Sequence, residues 1–410
     1  MSQSGSTAKM GRMMDVTQAR AAMLATVTPL EAECVKLDAA LGRVLADCVI
    51  AGRDQPPFAV SAMDGYALRS SDTPGILQVA GESAAGRGFE GRCEAGAAIR
   101  ISTGAPVPDG VDTVVIQEDV HRDGDKVTVP AVKSAKNIRP CGGDFSAGTT
   151  LLQKGRRLDG IAVSLAAATG AGHLAVVRRP RVAILSSGDE LAVPGDEPER
   201  YQIFDSATFG IAGLVRSWGG AAQRLELEKD DPAAIAKAAE QGLRDHDLLV
   251  VIGGASVGDH DHARPALMRL GLELVVEKIA VRPGKPTWFG RTPQGLVLGL
   301  PGNPASALAC ATLFLRPLLE AMLGRDPLAC VTTRKARLAH ALPANGGREH
   351  YLRAQLDSGS EGHLTVRAFE DQDSSLISIF AAANALIQLP RNAPALEKGA
   401  LVDVIAWTIF

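Results

Sequence analysis

Two apolar runs each give way abruptly to glycine. Leu248 to Ile252 empties into Gly253-Gly254-Ala255-Ser256-Val257-Gly258-Asp259-His260-Asp261, and Leu296 to Leu300 into Pro301-Gly302-Asn303-Pro304-Ala305-Ser306. Each reads as a short buried strand closing on a loop, and the lysine-bearing VRPGKPTWFG (281–290) lies between them. The surrounding chain alternates. RVAILSSG (181–188), AQRLELEK (222–229) and LELVVEKIAV (272–281) read as strands. FGIAGLVRSWG (209–219), PAAIAKAAEQGL (232–243), ARPALMRLG (263–271) and the stretch from Ala305 to Leu323 read as helices. Such alternation over 179–326 predicts an α/β domain with a parallel sheet and helices on both faces. In such a sheet the ligand crevice lies outside the carboxyl ends of the strands.

Elsewhere the pattern differs. Val16 to Val27 has apolar residues at helical spacing and Pro29 beyond its end, and Leu37 to Leu45 is a second, shorter helical pattern. From 51 to 147 short alternating strands are cut by glycine and proline, which predicts an inserted, mainly-β domain. The alanine-rich Leu158 to Ala171 is helical again and is expected to pair with the N-terminal helices, making 15–50 plus 148–178 a helical linker domain. Beyond Asp326 helices stop and strands resume, so 327–410 is expected to be a small barrel-like β domain. Residues 1–14, rich in Ser, Gly and Met, are expected to be a disordered tail.

Length and composition narrow the classes. A chain of 410 residues exceeds one core, and a formal net charge of −3 supplies no global field for nucleic acid or an anionic membrane. The six cysteines, at 34, 48, 93, 141, 310 and 330, contain no C-x-x-C pair, which predicts neither zinc nor a disulfide framework and suits a reducing, cytoplasmic setting. No apolar run in the sequence approaches the roughly 18 residues that span a bilayer.

The glycine loops fail two common fingerprints. GGASVG is not G-x-G-x-x-G, and Gly284-Lys285 is followed by proline where a Walker loop needs Ser or Thr. Gly254-Ala255-Ser256-Val257-Gly258 does satisfy G-x-S-x-G, but a polar Asp-His-Asp-His run follows where a nucleophile elbow needs a packed helix start. A serine hydrolase would use Ser256 with a later histidine such as His340, His350 or His363. His260 and His262 share one side of an extended segment, with the acids on the other, so the run suits a solvated loop better than a zinc site.

Taken in order, SAMDGYA (61–67), IRISTGAPVPDGVDTVVIQED (99–119), NIRPCGGDFSAGT (137–149), RVAILSSGDEL (181–191), GGASVGDHD (253–261), RPGKP (282–286) and LPGNPAS (300–306) resemble the MoeA family of molybdopterin molybdenumtransferases, relatives of the gephyrin E domain. The resemblance covers nearly the whole chain. It implies a multidomain α/β fold with a MogA-like central domain, and insertion of molybdate into adenylylated molybdopterin with release of AMP and a divalent metal, usually Mg²⁺. It also implies a homodimer whose active site is shared between the α/β domain of one subunit and the SAMDGYA domain of the other. Transient contact with a MogA-type adenylyltransferase and with molybdoenzyme chaperones would follow, with no role for nucleic acid or membrane.

By the same resemblance Asp261, Ser256, Asp64, Asp144 and Glu190 are expected to be catalytic, with Asp261 and Glu190 on the metal. Gly253, Gly254, Gly258, Thr103, Lys285, Arg282, Ser306, Arg353, Ser374, Pro301 and Pro304 are expected around the substrates. The chemistry agrees, since a phosphoanhydride calls for a hard cation on carboxylates and a tetrahedral dianion for cations and hydroxyls. Asp230 and Asp231 are weaker candidates, because Asp231-Pro232 also reads as a helix start. Four positions depart from the family pattern. They are Ala59 before SAMDGYA, Gly143 where an acid is usual, Ala207 in place of asparagine and Arg282 in place of lysine, whose planar fork replaces a point donor. A non-catalytic scaffold of the gephyrin type is the remaining alternative; the intact carboxylate set and the lack of a long linker speak against it.

Overall fold

The computed structural model describes residues 13–253, 262–359 and 362–407. The chain divides into two compact units, residues 34–176 and residues 1–33 with 177–410.

In the second of these units a six-stranded sheet runs in the order Ala221–Arg224, Arg181–Ser186, Leu248–Ile252, Gly295–Leu300, Trp288–Thr292, Glu273–Val276. The first four strands are parallel, as expected from the alternation, but the last two pair antiparallel, so the sheet is mixed. Trp288–Thr292 is a strand that the pattern did not predict, because its proline- and glycine-rich lead-in hides a run of only five residues. Alternate residues divide the core. Val182, Ile184, Leu248, Val250, Ile252, Leu298 and Leu300 face one side, against the helices Ala207–Ser217 and Arg316–Met322. Ala183, Leu185, Leu249, Val251 and Val297 face the other, against Pro232–Asp245 and Ala263–Arg269. A strand apolar at every position is what burial on both faces requires.

The helix Val16–Leu24 belongs to this core. It begins at a capping box of Asp15 and Gln18 and buries Val16, Ala19 and Met23 beside Leu318 and Met322, so it does not pair with the later alanine-rich helix as expected. The continuous helix Pro304–Met322, with one π turn at Ala311–Leu315, is long and apolar enough to cross a membrane by length and composition. Since 89% of that stretch is buried inside the protein, it is a core helix.

The C-terminal strands close on themselves. The order is Val281–Arg282, Glu349–Ser358, Leu364–Ala368, Arg334–Leu338, Leu401–Ala406, Ala385–Leu389, and the last strand also pairs with Glu349–Ser358. The barrel therefore borrows its first strand from the end of the α/β segment, because LELVVEKIAV is two strands in two sheets instead of one. It also carries a short helix, Ile377–Ala382, that the alternating pattern did not predict.

Residues 34–176 form the other unit. A six-stranded sheet in the order Thr113–Ile116, Gly65–Leu68, Ala97–Ile101, Gly75–Ser83, Lys126–Val129, His121–Asp123 is the inserted β domain. Its flanks hold one helix, Gly160–Ala168, capped by Asp159 and packed with Leu45, Val49, Leu152, Leu158 and Leu174. Leu37–Leu45 is not a helix. It is a 3-10 turn at Leu37–Ala39, a glycine at φ +74° and a strand Val44–Leu45, since left-handed Gly42 ends any helical run. The linker segment is thus one helix against small sheets, not a helical domain.

Candidate functional site

At the carboxyl edge of the α/β sheet three neighbouring strands end side by side. Ser186, Ile252 and Leu300 stand in register, and the Gly253 N–H donates to the Leu300 carbonyl at 3.3 Å. A Cβ on Gly253 would lie 3.1 Å from the Ser187 carbonyl, and one on Gly302 would lie 3.5 Å from Gly253 Cα. Backbone therefore approaches backbone with no side chain between, while the Gly253 N–H itself is taken up by the Leu300 carbonyl. Ser187 Oγ is buried and has no hydrogen-bond partner among the described residues. Glu190 is exposed, and its carboxylate folds back over Gly188, where a Cβ would fall 2.6 Å from it. Asp231 accepts from the N–H groups of Ala233 and Ala234, so it caps the helix. Gly254, Ser256, Gly258 and Asp261 lie outside the described residues.

A second convergence draws together RPGKP, PGNP and the turn DQDSSL (371–376). Gly284 sits at φ +112°, and a Cβ there would fall 2.1 Å from Cys310 Sγ, so the RPGKP loop lies flat on the helix Pro304–Cys310. That helix starts at Asn303, which does not cap it and instead donates from Nδ2 to Ser374 Oγ at 2.8 Å. Ser306 is buried one turn further on. Arg353, at the middle of Glu349–Ser358, reaches the same turn. It donates from Nη1 to the Asp373 carbonyl at 2.9 Å and the Leu376 carbonyl at 3.1 Å, and from Nε to Gln372 Oε1 at 3.2 Å.

Arg353 is only 3% exposed yet forms no ion pair among the described residues. A buried cation ordinarily has a carboxylate partner, so a guanidinium held by neutral oxygens leaves positive charge for a ligand. Burial pushes its pKa down. Arg282 and Lys285 are exposed and likewise make no ion pair among the described residues. Arg282 lines a cavity of about 650 Å³ with His340, His350, Gln372 and Asp373. Burial first, with the charges of Arg282, Arg348 and Arg353, pushes His350 down to about 4, so it is neutral at pH 7. Pro301 is buried and Pro304 opens the helix, consistent with shaping the loop.

In the unit of residues 34–176 three further motifs meet. Ile138–Arg139 pairs with Val60–Ser61, and the Gly104 N–H donates to the Ser61 carbonyl. Asp64 Oδ1 accepts from the Thr103 N–H at 2.6 Å and the Thr103 hydroxyl at 2.9 Å. Those bonds, the backbone one first, hold the Asp64 carboxyl below the usual range. Gly65 is required beside it, since a Cβ would fall 1.9 Å from the Val115 carbonyl. Asp144 is exposed in a loop fixed by Asp54, which accepts from the Ala147 N–H at 2.7 Å. A side chain at Gly143 would meet the Pro140 carbonyl at 3.1 Å, so the glycine relieves a tight contact.

The structure thus joins Asp64 to Thr103, and Arg353 to Ser374 through one turn. Asn303 and Gln372, which hold those groups, were missed by the sequence reading. Asn303 carried a signal in PGNP, while Gln372 lay unremarked in DQDSSL.

Known proteins match this arrangement over nearly its full length. Residues 14–170 match the MoeA N-terminal region (domain I and II), 183–321 a probable molybdopterin binding domain and 335–407 the MoeA C-terminal region (domain IV). A molybdopterin molybdenumtransferase of Haemophilus influenzae is 32% identical, over 96% of this chain and 98% of its own. A molybdopterin molybdenumtransferase 2 of Mycobacterium tuberculosis is 34% identical over 90% and 94%. The crystal structure of a molybdopterin biosynthesis MoeA protein from Pyrococcus horikoshii superposes with a TM-score of 0.85 at 29% identity, over 97% of this chain and all of that one. The G-x-S-x-G stretch falls inside the residues that match the probable molybdopterin binding domain. Three consecutive domain matches and full-length relatives place the chain in the MoeA family of molybdopterin molybdenumtransferases.

Proposed function

We propose that the chain inserts molybdate into adenylylated molybdopterin: water hydrolyses the phosphoanhydride and AMP leaves, while molybdate gives up oxygen as water as the metal bonds to the dithiolene sulfurs. The observation that carries this reading is Arg353, a buried guanidinium with no ion pair among the described residues, which reaches from the strand Glu349–Ser358 to the turn that carries Ser374. Molybdate is a tetrahedral dianion, and this turn, with Lys285, Arg282 and Ser306 on the adjoining segments, offers cations and hydroxyls from several directions. The glycine-lined edge around Gly253 suits the phosphates of the pterin substrate.

Mg²⁺ is typically held by one or two carboxylates together with substrate phosphates. Glu190 fits that requirement, since its exposed carboxylate makes no hydrogen bond or ion pair among the described residues and lies over Gly188 at the crevice edge. Glu190 and Asp261 would hold the ion, which when bound would neutralise charge developing on the anhydride oxygens. The chain's own part is to orient. Gly253 and the PGNP loop seat the phosphates, and Arg353, Lys285 and Ser374 hold the oxyanion near the sulfurs, where proximity lowers the barrier. We also propose a homodimer in which Asp64, Thr103 and Asp144 of one subunit serve the α/β site of the other.

Incubation with adenylylated molybdopterin, molybdate and Mg²⁺, followed by elemental analysis of the isolated pterin, tests the reading. Molybdenum bound to the pterin is expected with the wild-type protein. Metal-free pterin from a folded, substrate-bound protein would overturn it.

A further inference from the structure

Gln372 uses all four of its side-chain hydrogen-bonding positions on one task. Its Oε1 accepts from the Arg353 N–H at 3.0 Å and from Arg353 Nε at 3.2 Å. Its Nε2 donates to the Arg353 carbonyl at 3.0 Å and the Phe369 carbonyl at 2.8 Å. The orientation of the amide follows, because a flipped group would set Nε2 against two donors and Oε1 against two carbonyls. Gln372 therefore clamps both the backbone and the side chain of Arg353.

The acids of the same turn act on the guanidinium through space but make no ion pair or hydrogen bond with it. Asp371 accepts from the Asp373 N–H at 2.8 Å, and Asp373 accepts from the Ser375 N–H at 2.8 Å and the Ser375 hydroxyl at 2.6 Å. Both carboxylates thus brace the turn, while the guanidinium receives only an amide oxygen and two main-chain carbonyls. Arg353 Nη2 makes no hydrogen bond among the described residues, which leaves one edge of the fork for a ligand. A glutamate at 372 would have nearly the same shape, but it would neutralise the guanidinium and set its second oxygen against the two carbonyls.

We propose that Gln372 is a positioning residue that fixes Arg353 without neutralising it, and so sets the affinity of the site for a tetrahedral dianion. The proposal rests on the reading of Arg353 as an oxyanion ligand. A merely structural glutamine would be replaceable by a residue that stabilises the fold equally well; a charge-preserving one would not.

Equilibrium dialysis of the full-length protein against molybdate, with thermal melting and steady-state kinetics, separates these. Wild type should bind molybdate and Arg353→Ala should not. Gln372→Glu should bind roughly 10-fold or more weakly, the scale of one lost charge-assisted contact, while still unfolding in one cooperative transition, its new ion pair with Arg353 set against the two lost bonds to the carbonyls. In turnover KM for molybdate should rise, with KM for the pterin unchanged. Gln372→Ala should also raise KM for molybdate, by loosening the fork, and should melt lower. Wild-type affinity in both Gln372 variants would overturn the proposal. Wild-type affinity in Arg353→Ala, or no binding by wild type, would instead overturn the oxyanion reading and the proposal with it.

Discussion

At the scale of single residues, two side chains of the inserted domain act as one unit. The Thr103 backbone N–H and hydroxyl both hold the Asp64 carboxylate and lower its pKa. A depressed carboxyl contributes its interaction above the unfolded pKa and loses it as pH falls through the folded one. Thr103→Val removes the hydroxyl and keeps the N–H, so the Asp64 pKa is expected to rise part of the way to the ordinary carboxylate value, as read by NMR titration of the side-chain carboxyl. Asp64 and Thr103 were both legible in the sequence because each sits in a distinctive motif. Gln372 and Asn303 were not, since neither periodicity nor spacing marks an amide whose work is to hold another side chain. Asp231 was ambiguous in sequence, and the structure assigns it to the helix cap.

Elements were legible where burial imposes a strong pattern. Leu248–Ile252 and Gly295–Leu300 announce themselves as apolar runs, and Pro232–Asp245 as a helical stripe behind a capping acid. The pattern misled where an element is short or a sheet changes hands. Leu37–Leu45 has helical spacing but contains left-handed Gly42, and the run from 272 to 281 divides between the α/β sheet and the barrel. The RPGKP loop shows how tightly such junctions are set, because Gly284 leaves no room for a methyl group against Cys310. Gly284→Ala is expected to cost about 2–3 kcal/mol, from overpacking together with positive φ, as measured by urea unfolding. Because the loop carries Arg282 and Lys285, molybdate affinity should fall in the same variant. Unchanged stability would show that the loop has another resting place on the helix.

For the whole molecule, the order of domains along the chain was legible, but the N-terminal helix was assigned the wrong partner. Val16, Ala19 and Met23 read as an apolar face, and sequence alone does not say which core receives it; the structure places them beside Leu318 and Met322. The proposed sharing of the active site predicts that Asp64→Ala and Lys285→Ala, each inactive alone, recover activity when co-expressed as mixed dimers. Failure of isolated mixed dimers to recover it would place both residues in one subunit's site. The most direct test of the central claim is AMP release from adenylylated molybdopterin by the purified protein with Mg²⁺, with and without molybdate, beside Asp261→Ala. Release is expected to depend on molybdate and to be lost in the variant; release indifferent to molybdate, or undiminished in Asp261→Ala, would rule out the transferase reading.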